Sequence, residues 1–322
     1  KMNIKRERFN GILLRRGVLL FLLIFACFSL SGGNRDVQAA TVKKKTVTTK
    51  KCYAIFKTKH GKAWKKVLAD GKRKFPVADT GDGNMFLGWS TTKGHSKHPM
   101  YYADDVIPRK NAIYYMVVLR KSQNKAPDSI VQSAFYDNIL FVGDSRTLGM
   151  SMALGTSMPL NVDTVCKGGA GIEWFKEVGY KHLVNKIQNL PRESKKAVII
   201  NFGVNDLNDY SEYPQYMKEV AKELQAYGCD MYYMSINPIN SAIIKNHKGR
   251  HRTEKQINDI NKMIYTKLCS GSNKYYKYID TYNYLRSTGW ISNDRNDGVH
   301  YSKETYLRIY DYAIRHIGRI IK

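Results

Sequence analysis

From residue 139 to the C-terminus, short apolar runs alternate with stretches in which apolar residues recur every three or four positions. The runs are residues 139–142, 162–166, 197–202, 231–236 and 276–280. Continuous runs of this length suit strands that are buried on both faces. Between them, Tyr213, Tyr216, Val220 and Leu224 mark one helical face. Thr253-x-x-Gln256 is a capping box, in which each side chain satisfies the other residue's free backbone N–H, and it leads into Ile257, Ile260, Ile264 and Leu268. Ser302 is placed to cap a last helix with Tyr306, Tyr310, Ala313, Ile317 and Ile320 on its apolar face. This alternation predicts an α/β domain whose parallel sheet is covered by helices on both faces. In such sheets, ligands bind beyond the C-terminal ends of the strands.

Four short segments fall at those ends. Gly143-Asp144-Ser145 follows the first run and Gly168-Gly169-Ala170-Gly171 the second. Gly203-Val204-Asn205-Asp206 follows the third, and Asp297-Gly298-Val299-His300 lies near the C-terminus. Each is weak alone, but in this order they supply a nucleophile, a base with its orienting partner, and donors for an oxyanion. A serine hydroxyl is a poor nucleophile until a base takes its proton. His300 is the candidate base for Ser145. Asp297, three residues earlier, is placed to accept from the ring and fix its tautomer, with Gly298 allowing the tight turn. The N–H of Ser145, the N–H of Gly169 and the Asn205 amide are the candidate oxyanion donors, with Gly168 and Gly171 as alternatives for the glycine. Asp144 and Asp206 are read as braces for their loops, and Arg146 as half of a structural salt bridge in preference to a contact for an acidic substrate group.

These segments and their order resemble the four blocks of the SGNH (GDSL-type) hydrolase superfamily, over residues 134–322. The resemblance implies a three-layer α/β/α sandwich with a five-stranded parallel sheet. It also implies a Ser145-His300-Asp297 triad, and an oxyanion hole of Ser145, Gly169 and Asn205. The second block lacks the polar residue that often stands beside its glycine. Family members are esterases, lipases, thioesterases and acyl transferases, and the resemblance implies no metal or other cofactor. The expected activity is a serine esterase acting on O-acyl, above all O-acetyl, esters of extracellular carbohydrate or of a small ester substrate. The alternatives are an O-acyltransferase with the same triad and a catalytically idle adhesion protein.

The N-terminal part differs in character. Residues 1–16 carry six basic side chains and residues 17–30 are nearly all apolar. Val37-Gln38-Ala39 then offers small residues where a signal peptidase needs them. Residues 1–39 are therefore read as a signal peptide and the protein as secreted, with retention by an uncleaved signal at the membrane as the alternative. A basic linker over 40–51 follows. Residues 52–120 show β-like runs between turn signals such as Asp70-Gly71, Thr80-Gly81-Asp82-Gly83 and Lys93-Gly94. Within them Phe86-Leu87-Gly88-Trp89-Ser90 and Ile113-Tyr114-Tyr115-Met116-Val117-Val118 resemble the Listeria–Bacteroides (internalin B-type) repeat, which implies a small β-grasp-like module with Phe86 and Trp89 in its core. His95 and His98 have metal-compatible spacing but no third ligand nearby, and read as loop residues. Residues 121–133 are the second linker.

The net charge is +26, and residues 41–75 alone hold thirteen Lys or Arg against one Asp. For an exported chain this favours an anionic cell-envelope polymer as partner and argues against nucleic acid. Beyond the signal, Cys52, Cys166, Cys229 and Cys269 are widely spaced and read as free thiols, with a Cys166–Cys229 bridge as the alternative.

Overall fold

The apolar runs become strands of two kinds of sheet in the computed structural model, which describes residues 51–78, 80, 84–94, 99–102, 105–120, 124–241, 243–244, 252–271, 274–293, 297–318 and 320–321. The signal peptide, the basic stretch before residue 51, the Gly81-Asp82-Gly83 turn, His95, His98 and residues 121–123 lie outside these.

Four strands form the first sheet: β1 (Tyr53–Lys57), β2 (Ala63–Leu68), β3 (Met85–Ser90) and β4 (Ala112–Leu119). Their order is β2-β1-β4-β3. β1 and β4 run parallel while the outer pairings are antiparallel, so the sheet is mixed. Alternation places Ala54 and Phe56 of β1 on the face shared with Trp89, Tyr114 and Met116. Phe56 meets Trp89 edge-on at 4.6 Å, and the buried indole N–H donates to the Pro76 carbonyl at 2.7 Å. Trp89 is core, as expected, and Phe86 packs against that core from a partly buried position. The strand β2 was not anticipated.

A short strand β5 (Gln132–Ser133) leads into the second sheet: β6 (Asn138–Gly143), β7 (Val162–Cys166), β8 (Lys196–Asn201), β9 (Cys229–Met234) and β10 (Lys277–Ile279). All pairings are parallel and the order is β10-β9-β8-β6-β7. The helices are α1 (Ser145–Leu154), α2 (Ile172–Trp174), α3 (Tyr180–Gln188), α4 (Tyr213–Ala226), α5 (Glu254–Ile264), α6 (Thr281–Thr288) and α7 (Lys303–Ile317). A final strand, β11 (Ile320–Ile321), pairs with β5.

Every residue of β8 is buried, and its side chains divide by period two. Val198 and Ile200, with Leu140 and Val142 of β6, share a core with Leu183 of α3, Val220 of α4 and Ile260 of α5. Ala197 and Ile199, with Ile139 and Phe141, share the opposite core with Met150 of α1 and Ile309 and Ile314 of α7. Two apolar faces with helices on both give the covered parallel sheet that the alternation predicted, in the three-layer, five-stranded form that the family resemblance implied. The four described cysteines are all free, Cys229 and Cys269 buried, so the Cys166–Cys229 bridge is not formed.

Candidate active site

Parallel pairing places the C-terminal ends of β8, β6 and β7 side by side. Gly143 lies opposite Asn201 on one side and Cys166 on the other. The loops carrying Ser145, Gly169 and Asn205 leave the sheet at these three adjacent ends. Asp144 caps α1 by accepting from the Arg146 N–H at 2.8 Å, so Ser145 is the first residue of that helix. Ser145 stands where the helix N-terminus favours developing negative charge.

His300 arrives from the loop before α7. Gly149 of α1 lies under the Tyr306 ring, where an added methyl group would be 2.5 Å from Cζ. This close approach brings the start of α7 onto α1. The result is a continuous relay: His300 Nε2 is 2.8 Å from Ser145 Oγ, and His300 Nδ1 is 2.7 Å from Asp297 Oδ2. Asp297 Oδ1 accepts from the backbone N–H groups of Val299 and His300, both at 2.8 Å. Gly298 holds φ +76° in the turn between them, and a Cβ there would lie 2.8 Å from the Asn240 carbonyl.

Partial burial pushes Asp297 upward, but the His300 N–H, the His300 ring and the Val299 N–H outweigh it and hold the carboxyl at about 2. An ionised carboxylate only accepts, so a neutral His300 carries its proton on Nδ1 and turns the Nε2 lone pair toward Ser145. Asp144 behaves oppositely. Complete burial raises it to about 6, against the pull of the Arg146 N–H and guanidinium.

Asn205 Nδ2 donates to the Ala170 carbonyl at 2.8 Å, which uses one of its two N–H groups. Gly169 has φ +71°, a left-handed conformation that favours glycine, and open space where a Cβ would sit. Gly171 is occupied differently, because a Cβ there would strike the Asp206 carboxylate. Asp206 is a brace, accepting from the Ile172 N–H and from the Tyr213 hydroxyl at 2.7 Å. Burial raises its carboxyl, opposed by those two donors. Among the described residues Arg146 forms no salt bridge, against expectation. Its buried guanidinium donates to the carbonyls of Asn237, Pro238 and Val299, tying the β9 exit loop to the His300 loop. Sequence reading also missed Arg252, which reaches Val204 and Asn205. Its only local signal is its place beside the capping Thr253.

A hydroxyl, an imidazole and a carboxylate thus stand in one relay at the C-terminal rim of a five-stranded α/β/α sandwich, the arrangement that acyl transfer by a serine would use. The GDSL-like lipase/acylhydrolase family matches residues 128–313, more than half of the chain, and the protein belongs to this family of esterases and acylhydrolases. Solved structures that it resembles include a putative SGNH hydrolase from Slackia heliotrinireducens, at 14% identity and TM-score 0.46, covering 57% of this chain and 100% of that one. Another is the acetyl xylan esterase AlAXEase, at 18% identity and TM-score 0.40, covering 56% and 99%. A third is the C-terminal catalytic domain of peptidoglycan O-acetyltransferase A from Streptococcus pneumoniae, at 17% identity and TM-score 0.35, covering 56% and 92%. A search of curated proteins finds no match.

Proposed function

We propose that Ser145, His300 and Asp297 are the catalytic triad of an exported esterase that removes O-acyl groups, acetyl foremost, from carbohydrate. The observation that carries the catalytic part is the relay of 2.8 and 2.7 Å contacts through the His300 ring. In this reading His300 Nε2 takes the Ser145 proton as Oγ attacks the ester carbonyl. The Ser145 and Gly169 N–H groups and the second N–H of Asn205 stabilise the oxyanion. His300⁺, steadied by ionised Asp297, then returns the proton to the leaving sugar hydroxyl. Water, activated by the same histidine, releases the acyl group from Ser145.

The carbohydrate part rests on the sequence. A leader of the secretory type and the excess of Lys and Arg over residues 41–75 suit an enzyme working against an anionic envelope polymer. The mixed N-terminal sheet, with its internalin-repeat-like Phe86-Leu87-Gly88-Trp89, serves in this proposal as an envelope-facing module.

The test is acetate release from O-acetylated envelope and plant polysaccharides, with p-nitrophenyl acetate as a general probe. Ser145→Ala is expected to lower turnover by about 10³-fold or more. A variant that keeps most of its activity refutes the assigned nucleophile. Wild-type protein that cleaves the probe but frees no acetate from any polysaccharide refutes the substrate class. Acetyl transfer to an added sugar in preference to water assigns the same triad to an acyltransferase.

A further inference from the structure

We infer that Arg252 is a positioning residue for the oxyanion hole, holding the Asn205 amide so that one N–H faces the charge that develops on the substrate's carbonyl oxygen. The inference rests on the acyl-transfer reading above. Arg252 Nη2 donates to Asn205 Oδ1 at 2.9 Å, and its Nε donates to the Val204 carbonyl at 3.0 Å. A guanidinium has donors and no acceptor, so it can bond only the oxygen end of the amide. The Ala170 carbonyl can bond only the nitrogen end, and does so at 2.8 Å. The two partners therefore impose the same orientation and leave one Nδ2 hydrogen uncommitted to either. An amide free to flip would present its oxygen to the oxyanion for part of the time, which is repulsive.

Arg252 is itself held in place. It immediately precedes Thr253, the N-cap of α5, whose capping box is complete. Gln256 of the same box also donates to Asn208 Oδ1 at 2.8 Å. The start of α5 is thus stitched twice to the loop that follows β8. This matters because oxyanion stabilisation depends on donors that need no rearrangement as charge develops. The cationic partner on Oδ1 also polarises the amide and makes its N–H a stronger donor.

The experiment measures kcat and KM with p-nitrophenyl acetate for wild type, Arg252→Ala, Arg252→Lys, Asn205→Ala and the Arg252→Ala/Asn205→Ala pair. Loss of an oxyanion donor costs about 10²–10³ in kcat, which is the expectation for Asn205→Ala. Arg252→Ala is expected to lower kcat roughly 10-fold or more with KM within about twofold, since the effect acts on the transition state. Arg252→Lys, which can offer Oδ1 one donor but cannot span both acceptors, falls between. The double variant is expected to be no slower than Asn205→Ala, because the amide that Arg252 holds is gone. An unchanged kcat in Arg252→Ala, a loss confined to KM, or a loss that multiplies fully onto that of Asn205→Ala overturns the inference. If Asn205→Ala itself costs nothing, the oxyanion reading fails; if it costs its share and Arg252→Ala does not, only the positioning role fails. Should Arg252→Ala not fold, Arg252→Lys alone and paired with Asn205→Ala gives the same comparison.

Discussion

Asp144 and Asp297 flank the same serine and histidine, yet their surroundings drive them apart. Asp297 sits at the rim and receives two backbone N–H bonds and the His300 ring, so it stays ionised down to about 2. Asp144 is fully buried with one backbone donor, and its carboxyl rises from 3.8 to about 6. Below about pH 3.8 the Asp144 carboxyl is protonated in both folded and unfolded chains. Between there and about 6 the folded chain keeps a proton that the unfolded chain releases, so this residue makes stability fall as pH rises, and the loss levels off above 6. Asp297 has the opposite sign: its contribution is complete above about 3.8 and is lost as pH falls toward 2. Asp144→Asn keeps an oxygen to cap α1 but cannot ionise. The variant should exceed wild type in the free energy of urea unfolding at pH 7.5, by about 1–3 kcal/mol, with the gap closing near pH 4. Asp297 is common to both proteins and cancels. A gap that is the same at both pH values would show that Asp144 does not titrate with folding.

At the level of elements, α5 begins with a signal that could be read from two residues. The Thr253 hydroxyl accepts from the Gln256 N–H at 3.2 Å, and Gln256 Oε1 accepts from the Thr253 N–H at 3.0 Å. Thr253→Ala should cost about 0.5–2 kcal/mol, read as a lowered urea midpoint, and Thr253→Asn, another good cap, distinctly less. Equal losses for the two would place the effect elsewhere than in the cap. Elements with such local signatures were legible: all five central strands, the stripe of α4, and the Ser302 cap of α7, which accepts from the Thr305 N–H. Elements without them were not. In β2 the first four residues, Ala63 to Lys66, are exposed, so an edge strand left no apolar alternation to read. α6 buries Tyr282 and Leu285 as its large apolar residues over eight positions, too few for a period. The stripe of α2 and α3 runs through a π-helical turn at Phe175–Gly179 and contains a glycine. The candidate site follows the same rule. Ser145, His300 and Asp297 lie in short motifs at element ends, where type and spacing carry the chemistry. The bond from Arg252 to Asn205 spans 47 positions between two loops, and no local pattern encodes it.

Within residues 50–322, which form one compact unit, a small cleft is lined by Leu87 of β3 and Tyr102 on one side and by Ile239 after β9, Glu254 of α5, Arg286 of α6 and Trp290 on the other. At its centre Arg286 and Glu254 form a largely buried ion pair at 3.4 Å. The Tyr102 ring, from the first sheet's side, lies 3.1 Å from the Arg286 guanidinium carbon. Glu254 is the first residue of α5, where the helix dipole favours its charge. It also accepts from the Ile239 N–H at 2.6 Å and the Tyr282 hydroxyl at 2.7 Å. The next residue after Ile239, Asn240, donates to the Gly298 carbonyl at 2.8 Å, inside the loop that carries Asp297 and His300. One carboxylate therefore anchors both the cation that meets the Tyr102 ring and the loop that backs His300. A buried pair adds little over an apolar substitute, but removing one partner strands the other. Glu254→Ala should cost about 3–5 kcal/mol in urea unfolding, because it leaves Arg286 without its counter-charge and the Ile239 N–H without its acceptor. Tyr102→Ala should cost less than Glu254→Ala, since the guanidinium keeps its carboxylate and loses a ring contact worth about 0.5–2 kcal/mol. If Glu254→Ala costs under 1 kcal/mol while Tyr102→Ala costs more, the first sheet's ring, not the ion pair, is what secures the junction.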